Sequence, residues 1–540
     1  AVGYGILLAR PGAGFPLPVH LERFASPGRL CVTDEPRLAG AGGAGMLTWT
    51  LPTPLLARAL VTGSVPLRVP RSIQVQVSGR LRPFVAARDV GLELLRRGLG
   101  EKVQRLDALH RAPVVVEMVG PGVRLLSVTE RAVVAGIAPA LGAAAVLFTS
   151  DERTEVFLRD ERRSKAHRAL APDAGAPFDD VLAVDLGAVD PLLQDEQGAV
   201  RPVRDLAGKP VAQVLLGGDG GVTLRDLLAT AALLKSKRVP PRLDLLVAPP
   251  SRQALEVLAT EGAVADLAAA GARFVEPDVR LLTQELYGPP GHGLALRTCD
   301  AEPRGGVARP LVASAETAAY AVAQGEVGDP RAWKRPVRVT VPRTLPTEDV
   351  LLLRERRESK ASKVSKAEAK GTAPSVRAPA PFRGGEVLRM ETAARVLAAP
   401  SAAGPMAGPM TGAAPTVAGS LAASVAARAR GLDDLRALLL HVATARAPVA
   451  AIVSPHWPSP LAAYASGLGV VALEVNEEGW AALEALTTVH VPPLATWPEG
   501  REARLGAGEN APVALWVARG DERMWVEAGL PRPAATARRS

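Results

Sequence analysis

The run GGDGGVTLRDL, Gly217 to Leu227, is where residue types and spacing come nearest to chemistry in this chain. An apolar stretch, Val211 to Leu216, leads into a glycine-rich turn, and Thr223 offers the kind of hydroxyl that caps a helix start. Strand, glycine turn and helix together aim backbone N–H groups outward, which suits an anion. Asp219, in the middle of the turn, would repel one. Neither the G-x-x-x-x-G-K-[ST] nor the G-x-G-x-x-G spacing is present, so the turn reads as structural. Asp219, His292, Cys299 and Asp300 could in principle meet as metal ligands, but they lack compact ligand spacing, and no metal site is predicted. His20, His110, His167, His441, His456 and His490 stand alone, without a readable carboxylate partner or a Ser-His-Asp order.

The rest of the chain must position that turn. Its 540 residues, 48% hydrophobic, can bury large cores and predict about three or four domains. The formal charge of +9 permits an acidic or nucleic-acid partner, but the basic residues are scattered. Cys31 and Cys299 are the two cysteines, far apart and outside any CxxC spacing, which excludes a disulfide framework and falls short of the thiolates a cubane cluster takes. The start AVGYGILLARPG lacks the features of a secretory signal. Ala132 to Phe148 and Ala447 to Leu473 are apolar but short or broken by prolines, so no membrane insertion and a cytoplasmic location are expected.

Residues 1–125 alternate short apolar runs with turns, including strand-like Ser72 to Gly79 and helical Arg88 to Leu99. Over 126–340 the alternation becomes regular. Helix is expected at Thr129 to Leu141, Thr223 to Leu234 and Ser251 to Thr260, and strand at Ala144 to Phe148, Val211 to Leu216 and Leu243 to Ala248. That pattern implies a doubly wound α/β/α sheet with ligands at the carboxyl ends of the strands. Residues 341–382 read as a charged, proline-rich linker. Residues 383–540 read as a smaller α/β unit, with strands at Val449 to Val453 and Val470 to Val475.

Taken in order along the chain, these segments resemble the aconitase and isopropylmalate isomerase superfamily. The turn is similar to that family's G-S-C-T-N-G-R-x-x-D-L loop, whose cysteine binds a four-iron four-sulfur cluster; Asp219 stands at the cysteine's place. Leu126 to Thr154 is similar to S-x-x-x-R-x-x-I-x-N-M-x-x-E-x-G-A ending in D-x-x-T: Ser127, Arg131, Gly142, Ala143, Asp151 and Thr154 match. The asparagine and glutamate of that pattern fall on Gly136 and Ala140. Pro249 and Ser251 match a V-x-P-G-S segment, and in the following ELYGPPGHG, Tyr287 and Pro290 take the places of the C-G-P-C thiolates, in a looser register. TCDAEPRGG resembles T-S-N-R-N-F-x-G-R, with Ala301 and Gly306 in place of two carboxylate-gripping arginines. The helix after it matches A-S-P-E-T-A-A-x-S-A closely. LCVTDEP resembles a segment ending in D-S-H-T, with Asp34 kept and Pro36 at the catalytic histidine. Ala451 to Leu473 resembles part of the family's mobile swivel domain, with its arginine falling on Ser459, and Gly431 to Pro448, where a serine base should lie, contains no serine.

What the resemblance implies is an aconitase-like α/β frame, a linker and a swivel-like unit, with no catalytic residues retained and no iron–sulfur cluster. The expectation is a pseudoenzyme acting as a binding or scaffold subunit with a protein partner. By this register an N-terminal part of the family's first domain is absent, either lost or supplied by another polypeptide. Two alternatives stand: a hydro-lyase or isomerase completed by that other subunit, and an RNA-binding regulatory protein.

Overall fold

In Arg71–Ser78 the side chains of Ile73, Val75 and Val77 are buried and those between them face outward, the two-residue period of a strand. The computed structural model describes residues 6–51, 53–63, 67–302, 308–348, 351–353, 386–398, 425–445, 449–458, 461–462, 464–465, 468–484, 486–491, 503–505 and 513–517. The chain opens with helix α1 (Pro16–Arg23) and a parallel pair, β1 (Leu30–Thr33) and β2 (Leu47–Thr50). Between the pair runs a 3₁₀ segment, Pro36–Ala44, whose alanines and glycines are buried. Their smallness is required there: a Cβ on Gly43 would overlap the backbone of Ala132 in the helix beneath.

Strand β3 (Arg71–Ser78) is followed by helices α2 (Ala87–Arg96) and α3 (Leu99–His110), β4 (Val114–Val119), helix α4 (Val128–Ala135), β5 (Ala145–Phe148), helix α5 (Glu152–Asp160) and β6 (Asp180–Asp185). The strands pair in parallel in the order β5-β4-β3-β6, so one sheet draws strands from both sides of residue 125. Ile73, Val116, Val146 and Val184 from these strands share one hydrophobic cluster with α2, α3 and α4. A helix expected over Thr129 to Leu141 is instead interrupted after Ala135, and a short helix, Ala138–Leu141, follows. Pro139 has no amide to bond back to the Ala135 carbonyl, which ends the first helix there.

The second sheet holds β7 (Leu192–Gln194), β8 (Val200–Pro202), β9 (Val211–Gly217), β10 (Asp244–Ala248), β11 (Arg273–Phe274), β12 (Leu294–Arg297) and β13 (Leu311–Ala313), in the order β11-β10-β9-β12-β13-β7-β8. The first five in that order are parallel, and β7 and β8 close one edge antiparallel. Helices α6 (Leu224–Leu234), α7 (Arg252–Thr260) and α8 (Ala315–Gln324) belong to this layer. Central β9 is buried along its whole length, as a strand covered on both faces must be.

A third sheet is built from β14 (Glu386–Thr392), β15 (Val425–Arg428), β16 (Val449–Ser454), β17 (Val471–Glu474), β18 (Thr488–Val491), β19 (Ala503–Leu505) and β20 (Val513–Val517), in the order β18-β14-β15-β16-β17-β20-β19. Its four central strands are parallel and its outer ones antiparallel, with helix α9 (Leu432–Ala445) between β15 and β16. Among the described residues, no helix is long and apolar enough to cross a membrane.

Candidate functional site

The loop after β9 is built by glycines that nothing else could replace. Gly217 has φ of +105°, and a Cβ there would overlap the Ala248 carbonyl oxygen of the neighbouring strand; a Cβ on Gly221 would overlap Thr298. The Thr298 hydroxyl accepts from the Gly217 amide at 2.9 Å and donates to the Gly217 carbonyl at 3.0 Å, which pins the turn to the end of β12. Thr223 then caps α6: its Oγ1 accepts from the Asp226 amide at 3.1 Å, and Asp226 Oδ2 accepts from the Thr223 amide at 2.9 Å. This is the carboxyl end of a central parallel strand, where α/β sheets place ligands.

Asp219, at the tip, has a side chain with no exposed surface. Its Oδ1 accepts from the backbone amide of Leu17 at 3.1 Å, in the first turn of α1. That helix has Phe15 as N-cap residue and no side-chain cap of its own, so Asp219 supplies the missing acceptor. Oδ2 lies 3.6 Å from Nε of Arg37. Burial pushes the Asp219 carboxyl up to about 7, against the pull of Arg37.

Arg37 is the hub of the cluster. Its Nη2 donates to Glu35 Oε2 at 2.9 Å and its Nη1 to Glu302 Oε1 at 3.0 Å. Burial alone would lower the guanidinium, but Glu35, Glu302 and Asp219 outweigh it and hold it above its ordinary value. Glu302 Oε2 in turn faces Arg436 of α9 at 3.6 Å. Beside this group, Arg88 of α2 makes a two-pronged bond to Asp300, with Nη1 to Oδ2 at 3.2 Å and Nη2 to Oδ1. Arg309 Nη1 reaches Asp433 of α9 at 2.7 Å. Cys299 is fully buried against Gly218, and burial pushes its thiol up to about 11.

The residues singled out by sequence fall as follows. Pro36 begins the 3₁₀ segment between Glu35 and Arg37. Gly136 ends α4 close to the loop, since a Cβ there would lie 3.9 Å from the Gly220 carbonyl oxygen. Ala140 sits in the short helix Ala138–Leu141 and Ala301 is buried beside Asp300. Tyr287 is 41% exposed, with Arg273 stacked 5.8 Å from its ring centre and its carbonyl accepting from Arg297 Nη2 at 2.9 Å. Pro290 lies half-buried in the loop that follows. Gly306 and Ser459 lie outside the described residues. His292 has no part in the ion pairs around Asp219, and among the described residues no group of three or more His, Cys, Asp or Glu is arranged to hold a metal ion. Arg37, Glu35, Glu302 and Arg436 were not anticipated; the one signal for Arg37 is its place directly after Pro36.

A model of the Aconitase family (aconitate hydratase) matches residues 1–198. Over these stretches the chain is similar to the aconitase and isopropylmalate dehydratase superfamily. Similar members include 3-isopropylmalate dehydratase large subunit 2 of Archaeoglobus fulgidus, 28% identical over 59% of this chain and 77% of that protein. The 3-isopropylmalate dehydratase large subunit of Elusimicrobium minutum is 25% identical over 61% of this chain and 78% of its own length. Large subunit 1 of the Thermotoga maritima enzyme is 27% identical over 61% and 78%. The mixed α/β architecture with parallel sheets agrees with that similarity.

Proposed function

We propose that this chain is an aconitase-superfamily subunit that keeps the frame and has exchanged the inorganic centre for ion pairs, so that it binds or organises a partner rather than dehydrating a hydroxy acid. The observation that carries this reading is the engagement of Asp219, which stands where the resemblance puts a cluster thiolate: it caps α1 and faces Arg37. The residues do not fit a cubane cluster. Such a centre takes three or four thiolates; the chain has two cysteines, Cys299 carries a thiol disfavoured from ionising, and Cys31 packs half-buried on β1. Arginine pairs also occupy the surroundings where substrate carboxylates would need free cations. The C-terminal sheet, in this reading, is the swivel-like unit, and the location is cytoplasmic.

A second reading is favoured by the names of the relatives. They are large subunits of a dehydratase, which points to a small-subunit partner and to a hydro-lyase completed by it. The test is to purify the chain anaerobically, alone and with its co-purifying partner, incubate each with ferrous iron and sulfide, and follow dehydration of 3-isopropylmalate and of citrate. The scaffold reading expects no turnover in either sample. Turnover that requires the partner would establish the second reading in its place.

A further inference from the structure

A cavity of about 790 Å³ is walled by α1, α4, α5, α6 and the extended segment 336–345. Its size is that of a small-molecule site. Leu17, Phe84, Val133, Phe157 and Leu233 line it, and the extended segment adds Val337, Val339 and Val341, with Arg338 and Thr340 exposed between them. The polar lining carries both signs of charge, so what counts is which groups are already engaged. Four of the acids are. Glu161 accepts from Arg23 at 3.2 Å and from Gln253 at 2.8 Å, and Glu22 accepts from the Ser251 hydroxyl at 2.5 Å. Asp160 accepts from Arg159 at 3.0 and 3.1 Å, and Glu130 accepts from the amide and hydroxyl of Ser127 at 2.8 Å. The remaining acid, Glu316, has its Oε2 buried out of reach of the chamber, and burial pushes its carboxyl up to about 8, so at neutral pH it is mostly uncharged. The arginines are not all spent. Arg82 bonds Asp190 at 3.0 Å, and Arg225 faces Glu130 at 3.9 Å. Among the described residues, the Arg153 guanidinium pairs with no acid, giving only Nε to the Arg124 carbonyl at 3.1 Å, and the side chains of Arg80 and Arg343 make neither hydrogen bond nor ion pair. These three are exposed, so they stand at the mouth of a mainly apolar chamber.

We propose that this cavity binds an amphipathic organic anion, a carboxylate on an unbranched hydrocarbon body, with the head at Arg80, Arg153 and Arg343 and the body along Val337, Val339 and Val341. A guanidinium offers a carboxylate two parallel charge-assisted bonds. An ammonium head would meet three uncompensated positive charges and no acid that is both ionised and free, and a neutral head would forgo the charge-assisted bonds. The site shares no charged residue with the cluster around Arg37. It therefore stands whether or not the chain is an enzyme.

The test titrates octanoate, octanol, octylamine and hexanoate calorimetrically into the full chain at low salt. One saturable site for octanoate is expected, with octanol and octylamine at least tenfold weaker. Hexanoate should bind about tenfold more weakly than octanoate, because two methylenes leave the apolar wall. The double variant Arg80→Gln, Arg343→Gln should lose at least fivefold for octanoate and nothing for octanol. Arg338→Gln, on the same segment but outside the lining, should bind octanoate as the natural chain does. Since Arg80 and Arg343 are exposed, the double variant should melt with the natural chain, so a loss of binding would not be a loss of fold. Absence of a saturable octanoate site, equal binding of octanol or octylamine, equal binding of hexanoate, or undiminished octanoate binding in the double variant would each overturn the proposal.

Discussion

Asp219 caps a helix far back in the chain, its Oδ1 accepting at 3.1 Å from the amide of Leu17, 202 residues earlier. A position that the superfamily resemblance assigns to an iron ligand thus holds together α1 and the loop after β9. Asp219→Asn keeps an oxygen acceptor for Leu17, whereas Asp219→Ala removes it. The alanine variant is expected to be less stable than the asparagine variant by about 1–2 kcal/mol, the usual worth of a cap. Urea unfolding of the two proteins checks this, and equal midpoints would contradict it.

The same carboxyl fixes a pH dependence. Its value in the folded protein, about 7, lies above the ordinary 3.8, so between those two pH values the folded state holds a proton that the unfolded state has released. The stability contribution is present at and below pH 4 and is lost as pH rises to about 7. Asp219→Asn cannot ionise and escapes this loss. Its melting temperature relative to the natural chain should therefore climb from pH 4.5 to pH 8 and then level off; a difference independent of pH would refute the assignment.

Arg131 is fully buried and makes five bonds, to the carbonyls of Val123, Leu126 and Thr149 and to both oxygens of Asp151. Lysine cannot reproduce that planar fork. Arg131→Lys keeps the charge opposite Asp151 but leaves buried carbonyls without a donor, and is expected to cost about 1–3 kcal/mol. A loss under 1 kcal/mol would mean the site relaxes around an ammonium.

Gly217 and Gly262 separate two reasons for glycine. Both have positive φ, +105° and +75°, but a Cβ on Gly217 meets the Ala248 carbonyl while one on Gly262 meets nothing within 4 Å. Gly262→Ala should cost about 1–2 kcal/mol from backbone strain alone, and Gly217→Ala clearly more. Equal losses in thermal unfolding would show that the clash is absorbed by movement of β10.

What the sequence revealed of this arrangement was its local part. The apolar run Val211 to Leu216 became a strand extending to Gly217, and Thr223 became a cap, because strand burial and capping are written in neighbouring residues. Pro139 is equally local, and the apolar pattern that runs through it hides the interruption of the helix after Ala135. The antiparallel outer strands of the third sheet, Thr488–Val491 and Val513–Val517, carry no such local mark, because each is short and takes its register from a distant partner. Resemblance led to Asp219 and Pro36 separately. That Arg37 rather than a metal would answer Asp219, with Glu302 and Arg436 behind it, depends on contacts across hundreds of residues, for which a single sequence carries no local pattern.

The bonds between Arg309 and Asp433 and between Arg436 and Glu302 join the second sheet's unit to α9. Asp433 is 47% exposed, so the first pair should contribute only about 1 kcal/mol and fade with salt. A double-mutant cycle on Arg309→Ala and Asp433→Ala, read at low and high salt, should give a coupling of that size that shrinks as salt rises. No coupling at low salt would show that the units are held by other contacts.

The central claim is that ion pairs have replaced an inorganic centre in a retained frame. Iron and acid-labile sulfide measured per chain, in protein purified without air together with whatever accompanies it, test this most directly. The account predicts neither in stoichiometric amount, before or after incubation with iron and sulfide. About four of each per chain, lost when Asp219 is replaced, would contradict it.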